Sequence, residues 1–345
     1  MQNRDLVVIG ASAGGIEALQ HICTALPADL NAAVLIVLHT APTSFGLLPR
    51  ILRRAGCVSA ESPIDGELIE KGNIYVAPPD HHMIVEGRRI RLVRGPRENR
   101  HRPAVDPMFR SAALAYGNRV IVVILSGALD DGTGGLMVVR AHGGAAIVQD
   151  PSSAAFPYMP ESALKMVKDA HVVPLSEIAN VIMKLVSEPV EIRGRLEEPD
   201  PLAIRDVKMS ELDMSEVEND IRAGQPSVFG CPECGGVLWE IDQKGFLRFR
   251  CRVGHAYTAT DLSAEQRQVI ETALWAALRA LEESASLYRR LANRASGLTS
   301  VSSRWEERAT TAEMNAHTLR NFLVNVNTSG PRVDEMAEPA QAKAS

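Results

Sequence analysis

Three groups of residues in this chain have types and spacings that could do chemistry. The first is Gly10-Ala11-Ser12-Ala13-Gly14-Gly15, which follows the apolar run Leu6–Ile9 and opens a helical pattern. Two mechanisms compete for such a turn. A dinucleotide-binding turn needs G-x-G-x-x-G, because its second glycine lets a pyrophosphate approach the backbone. Ser12 stands at that place, and the second apolar run ends in Leu38-His39 rather than in the acidic residue that would hold a ribose. The alternative is G-x-S-x-G, which lifts a serine hydroxyl on a tight strand-to-helix turn and sets a helix N-terminus behind it for a developing oxyanion. A serine needs a base, and the base needs an orienting acid. His39 ends Val34–Leu38, and Ser126-Gly127-Ala128-Leu129-Asp130-Asp131-Gly132 follows Val120–Leu125. Serine, histidine and acid therefore stand at three strand ends, where a parallel sheet collects its reactive side chains. Serine-hydrolase chemistry is the expectation, with Asp130 and Asp131 both open as the acid.

The second group is Cys231, Cys234, Cys251 and His255: C-x2-C, a gap of 16 residues, then C-x3-H. Two such pairs across a hairpin complete a tetrahedron, and four protein ligands imply a closed, structural zinc site. Phe246–Arg250 supplies a strand for that hairpin. Cys23 and Cys57 stand apart, and Cys23 reads as a buried small hydrophobe. The third group is basic: Arg88, Arg89, Arg91, Arg94, Arg97, Arg100 and Arg102. It reads either as a rim that steers an acidic partner or as a solvated hairpin face. The His81-His82 pair has no acid or thiolate at ligand spacing and reads as structural.

The elements that must position these groups follow from periodicity. Leu6–Ile9, Val34–Leu38, Val120–Leu125 and Ala145–Val148 read as buried strands. They alternate with helical patterns over Gly15–Leu26, Gly46–Ala55, Asp106–Tyr116, Gly135–His142 and Pro160–Lys168. That alternation predicts an α/β fold with a doubly wound, mainly parallel sheet over residues 1–187. Ile74–Val76 and Met83–Val93 read as a hairpin insertion. Ser187–Arg222 carries 11 acidic against 5 basic residues and reads as an acidic linker, assigned to 188–226. A zinc ribbon is expected over 227–260, an α-helical hairpin over 261–328 and a disordered tail over 329–345. The first hairpin helix carries a seam at Ile270, Leu274, Ala277, Leu281, Ser284, Tyr288 and Leu291, with a break at Ser296–Ser300 and a second helix from Arg304.

Composition bounds the rest. The 345 residues are 46% hydrophobic and 23% charged, with a net charge of -5, which excludes a bulk basic field for nucleic acid. No apolar run is long enough to span a bilayer, and the N-terminus lacks a secretory apolar stretch. Five cysteines in such a chain argue for a reducing, cytoplasmic setting.

Val8–Gly15, Leu38-His39, Ile74–Pro79, His101–Asp106, Leu125–Gly132 and the stretch from Gln149-Asp150-Pro151 to Met159-Pro160 together resemble the catalytic domain of the chemotaxis CheB family. The resemblance covers residues 1–187 and implies a protein-glutamate methylesterase, with glutamine deamidation as a second activity, acting in chemotaxis-like phosphorelay signalling. It places the nucleophile on Ser12, the base on His39 and the acid on Asp131, with no cofactor for catalysis. It implies a methylated receptor as partner, reached at the membrane without insertion. Three departures stand out: Ala13 where the family has Thr or Ser, Gly127-Ala128-Leu129 where it has Gly-Met-Gly, and no receiver domain ahead of the catalytic one. The region after Val186 is then expected either to inhibit mildly through the arginine rim or to recruit a partner. The helical hairpin could self-associate. A competing reading is a signalling adaptor with a weak esterase fold that binds through its C-terminal half.

Overall fold

In the computed structural model, residues 2–56, 60–190, 200–213, 215–216, 223–295 and 297–329 are described. In chain order the elements are β1 (Gln2–Asn3), β2 (Leu6–Ala11), α1 (Gly15–Ala25), β3 (Ala33–Leu38), α2 (Leu48–Ala55), β4 (Ala60–Glu61) and β5 (Ile74–Val76). Then come β6 (His82–Glu86), β7 (Arg89–Val93), α3 (Val105–Tyr116), β8 (Val120–Ile124), α4 (Thr133–Ala141), β9 (Ala145–Gln149), α5 (Tyr158–Met166), β10 (His171–Val173) and α6 (Leu175–Ser187). The C-terminal part holds β11 (Pro189–Val190), α7 (Pro201–Ser210), β12 (Gln225–Gly230), β13 (Val237–Gln243), β14 (Phe246–Cys251), β15 (Ala256–Thr258), α8 (Ala259–Arg294) and α9 (Thr299–Ser329).

Seven strands form one sheet in the order β10-β9-β8-β2-β3-β5-β4, every pair parallel. Its central strands are continuous β-branched and leucine runs because both faces are covered. Side chains alternate between two cores. Leu6, Val8, Leu35, Val37 and Val122 pack under α3, α4 and α5, while Val7, Ile9, Val34, Ile36 and Val123 pack under α1, α2 and α6. The chain builds β3, β4 and β5 on one side of β2, then returns to place β8 on the other. The carboxyl ends of β2, β3 and β8 thus flank a topological switch point, where open α/β sheets bind their ligands.

Two expectations need correction. Ile74–Val76 is not part of the hairpin: it pairs in parallel with β3, and only β6 and β7 form the antiparallel hairpin, turning at Gly87 (φ +57°). A three-residue strand carries too few positions to show which sheet it joins. The expected linker carries a docked helix. Asp200 caps α7 by accepting from the Leu202 N–H at 2.9 Å, Pro201 takes the first helical position, and Ala203, Asp206, Met209 and Ser210 are buried. The acidic count hid the helix because Asp206 is an interior ion-pair partner rather than a solvated charge. Residues 191–199, Cys57 and the tail from 330 lie outside the described residues.

The four strands β12-β13-β14-β15 form an antiparallel sheet around Cys231, Leu238, Phe249, Cys251, Tyr257 and Leu262. It belongs to one compact unit with the α/β layers, ending at Leu262. The second unit starts at Ser263 and contains most of α8 with α9. These helices bury Leu278, Ala316 and Leu323 with Leu274, Leu281 and Leu319 alongside. The seam keeps the expected Leu274, Leu281 and Tyr288 but runs through Leu278 and Ala285, leaving Ile270 and Ala277 exposed. Tyr288 stacks on Trp305, and Arg289 makes an ion pair with Glu313. The second helix begins at Thr299, ahead of Arg304. No described helix is long and apolar enough to cross a membrane.

Candidate active site

The turn after β2 is built for close approach. Gly14 sits at φ +71°, where a Cβ would meet Ala155 Cβ at 2.8 Å, and a Cβ on Gly10 would meet Val105 at 2.4 Å. The Ser12 N–H donates to Ser126 O, and the Gly15 N–H closes the turn onto Ser12 O. Ser126, whose hydroxyl donates to Ala13 O at 2.8 Å, ties the loops after β2 and β8 together. A Cβ on Gly127 would lie 2.9 Å from Ser12 Cβ and 2.0 Å from Met159 Sδ, so only glycine lets this loop pass the serine. Ser12, His39, Thr40, Ala41, Pro42, Arg97, Arg100, His101 and Arg102 line one cleft of about 330 Å³.

The structure brings the predicted base and acid together. His39 Nε2 lies 2.7 Å from Asp131 Oδ2, both side chains being almost fully buried. Asp131 also accepts from the Val105 N–H (2.7 Å), the Asn99 side-chain amide (2.8 Å) and the Gly132 N–H (2.9 Å). Burial alone would raise its pKa, but the hydrogen bond and charge of His39, with the Val105 and Asn99 donors, hold it below the ordinary carboxylate range. An anionic Asp131 makes Nε2 the protonated nitrogen. His39 Nδ1, buried and without a partner among the described residues, is left with its lone pair for a proton.

Asp130 points elsewhere. Its Oδ1 takes the Thr258 hydroxyl at 2.6 Å, and burial raises its pKa. Of the two acids left open by the residues alone, Asp131 is therefore the one that meets the histidine.

A family model for the CheB methylesterase matches residues 7–182. The chain belongs to the CheB methylesterase family. It is 36% identical over 192 residues to a Leptospira interrogans protein provisionally named protein-glutamate methylesterase/protein-glutamine glutaminase, covering 55% of this chain and all of that one. A Paramagnetospirillum magneticum protein of that name is 40% identical over 188 residues, covering 53% of this chain and 49% of the relative. The Thermotoga maritima CheB methylesterase catalytic domain superposes with a TM-score of 0.51 at 30% identity, covering 54% of this chain and all of that one. The chain thus spans about half the length of the Paramagnetospirillum relative.

Two departures from the CheB pattern acquire a physical meaning. Leu129 occupies a left-handed conformation (φ +62°) at the place where the family's loop has a glycine, a strain of about 1–2 kcal/mol for an L residue. Ala13 leaves only a methyl beside the nucleophile, so no side-chain hydroxyl is available there.

Further residues pack against His39 and Asp131. His101 stacks on His39 at 3.7 Å and 11°. Burial, and then the neighbouring His39, keep it neutral by driving its pKa well below the usual value. Asn99 bridges Asp131 and Asp106, donating to both. Asp106 is pushed up to about 7, chiefly by burial and next by the Asp131 charge. His101 and Asp106 bound one of the stretches that carry the family resemblance, which gave them no role of their own, and Asn99 stood out only by its place in the arginine run.

That run divides. Arg91 pairs with Asp65 and Glu86, Arg94 and Arg102 with Asp80, and Arg97, Arg100 and Arg102 line the cleft. His82 is structural as expected: Nε2 donates to Pro96 O and Nδ1 accepts from the Ala104 N–H. Cys23 is buried with its thiol pKa pushed up to about 12 by burial, as a small core hydrophobe should be.

Cys231, Cys234, Cys251 and His255 converge, with their ligand atoms all within 4.8 Å of one another. Cys234 Sγ–Cys251 Sγ is 3.7 Å, and His255 Nδ1 lies 3.7 Å from Cys231 Sγ and 3.5 Å from Cys251 Sγ. A zinc tetrahedron with ordinary bond lengths has S···S edges of about 3.8 Å and S···N edges of about 3.6 Å. The donor set fits that ion. Glu233 meets His255 Nε2 at 3.2 Å, the carboxylate partner that fixes a ligating imidazole.

Proposed function

We propose that this chain is a protein-glutamate methylesterase working through Ser12, His39 and Asp131. The observation that carries the reading is the buried His39–Asp131 hydrogen bond, which leaves Nδ1 unpartnered at the cleft that Ser12 lines. His39 Nδ1 takes the Ser12 proton as Oγ attacks the ester carbonyl. The negative oxygen of the tetrahedral intermediate is met by the Ala13 N–H in the turn ahead of α1, a donor worth about 3–4 kcal/mol in comparable sites. His39 returns the proton to the departing methoxide, methanol leaves, and a water activated by the same nitrogen hydrolyses the acyl-enzyme. A glutamine side chain follows the same path with ammonia as leaving group. Asp131 holds the imidazole in the Nε2–H tautomer throughout and balances its charge.

The substrate assigned is a methylated glutamate on a chemoreceptor helix, with Arg97 and Arg100 on the cleft wall suited to acidic neighbours. The zinc ribbon is structural: Cys231, Cys234, Cys251 and His255 would hold one ion, closed to substrate. Mass spectrometry of a methylated receptor domain incubated with the full chain tests the reading. Loss of one methylene mass per modified glutamate is expected. Binding without any loss would favour the adaptor reading instead.

A further inference from the structure

None of the described residues of the four-stranded ribbon lines the cleft. Its last strand lies against the back of the segment that carries Asn99 and His101. Glu98 pairs in parallel with Ala256, the Asn99 N–H donates to Ala256 O at 2.8 Å, and the Ala256 N–H donates to Arg97 O at 3.2 Å. The Thr258 N–H donates to Asn99 Oδ1 at 3.2 Å, so the amide of Asn99 is gripped from the ribbon while its NH2 faces Asp131 and Asp106. The Thr258 hydroxyl donates to Asp130, the residue before the catalytic acid, and accepts from the Asp261 N–H at 3.0 Å. One row further back, Arg250 of β14 reaches Glu98 at 3.1 Å. Asn99 and Arg100 both have positive φ, +49° and +70°. Residues in that region persist where their surroundings over-determine them, and here the surroundings are the ribbon strand.

We infer that β15 of the ribbon positions the catalytic acid, Thr258 holding Asn99 and Asp130 while Asn99 holds Asp131. The ribbon is then a buttress of the triad. This is the opposite of the expected inhibition: the described contacts of the C-terminal region with this segment support the catalytic groups from behind. An ion in the Cys231, Cys234, Cys251 and His255 set would fix the turns that lead into β13 and β15, so metal loading and triad geometry are linked. The inference rests on the triad reading of the proposed function.

The test uses full-length Asn99→Ala, Thr258→Val, Thr258→Ser and the Asn99→Ala/Thr258→Val double variant, with urea midpoints confirming that each is folded. The readouts are kcat and KM for ester hydrolysis and the downfield imidazole proton resonance of His39. A hydrogen bond to a charged group is worth roughly 10- to 100-fold, so Asn99→Ala should lower kcat by that factor with KM unchanged. Thr258→Val removes the hydroxyl that Asp130 accepts from and keeps the N–H that Asn99 accepts from, so it should lower kcat by its own factor; Thr258→Ser should restore it, and the double variant should lose more than either single variant. The imidazole proton should broaden or shift in both single variants. Wild-type kcat in Asn99→Ala or in Thr258→Val would overturn the inference. If the wild-type chain turns over no ester, the proposed function fails, and the His39 resonance alone decides the coupling: movement in both variants upholds it, and an unmoved resonance overturns it.

Discussion

Glu98→Gln probes how the C-terminal region is locked to the α/β layers. Glu98 is 1% exposed and accepts from Arg110 (2.5 Å), Arg250 (3.1 Å) and the Ser210 hydroxyl (2.7 Å). Those partners come from α3, β14 and α7, so one carboxylate joins three elements. Asp206 of α7 completes the cluster through Arg248 at 2.8 Å and Arg250 at 3.2 Å. Glutamine keeps the shape and an acceptor for Ser210 but leaves two buried guanidiniums facing one anion fewer. A pair at this separation is worth about 4 kcal/mol at an effective dielectric of 20. Removing one partner of a buried pair typically costs 3–5 kcal/mol. Against a total stability of about 5–15 kcal/mol, that loss is large. Urea unfolding followed by far-UV circular dichroism at pH 7 should show it. Burial works to raise the Glu98 pKa, yet the Arg110 and Arg250 charges hold it far below the carboxylate range. Its contribution is therefore fully present above the unfolded value of about 4.3 and fades as pH falls below that, towards the depressed folded value. The gap between wild type and variant should accordingly shrink in acid. A loss under about 1 kcal/mol at pH 7 would refute the reasoning, because it would mean that the cluster is solvated or redundant.

Other expectations follow from the same structure. Asp131→Asn should lower kcat by about 10⁴ in the methanol-release assay, since an amide cannot hold the Nε2–H tautomer. Gly127→Ala should cost about 1–3 kcal/mol in urea unfolding and displace Ser12, because its new Cβ meets Met159 and the nucleophile. Metal analysis of protein prepared without chelator should find one zinc per chain. Chelation should release it and raise amide exchange in β14 and β15 first, with the strands of the parallel sheet still protected.

How much could be read beforehand depended on how local the signal was. Ser12, His39 and Asp131 stood out as candidates because parallel sheets place their chemistry at strand ends: Ser12 and His39 directly follow β2 and β3, and Asp131 lies in the loop after β8. The convergence of Cys231, Cys234, Cys251 and His255 was legible because their spacing is set by two short turns. The α7 helix was not, because its acidic composition conceals a buried ion pair whose partners, Arg248 and Arg250, come from β14. Asn99 and His101 were illegible for the same reason. Their roles exist only once the Arg97–His101 segment lies between Asp131 and the ribbon, a juxtaposition that no periodicity encodes. The α8 seam takes Leu278 and Ala285 in place of their neighbours Ala277 and Ser284 because both sets keep the same seven-residue spacing, and the spacing alone does not choose between them.

In the proposed mechanism Ser12, activated by His39, hydrolyses a glutamate methyl ester. Methanol release from a methylated receptor domain, measured with the wild-type chain and with Ser12→Ala at equal concentration, tests it most directly. Turnover by the wild type and background release by a folded Ser12→Ala are expected. Equal release from both proteins would contradict it.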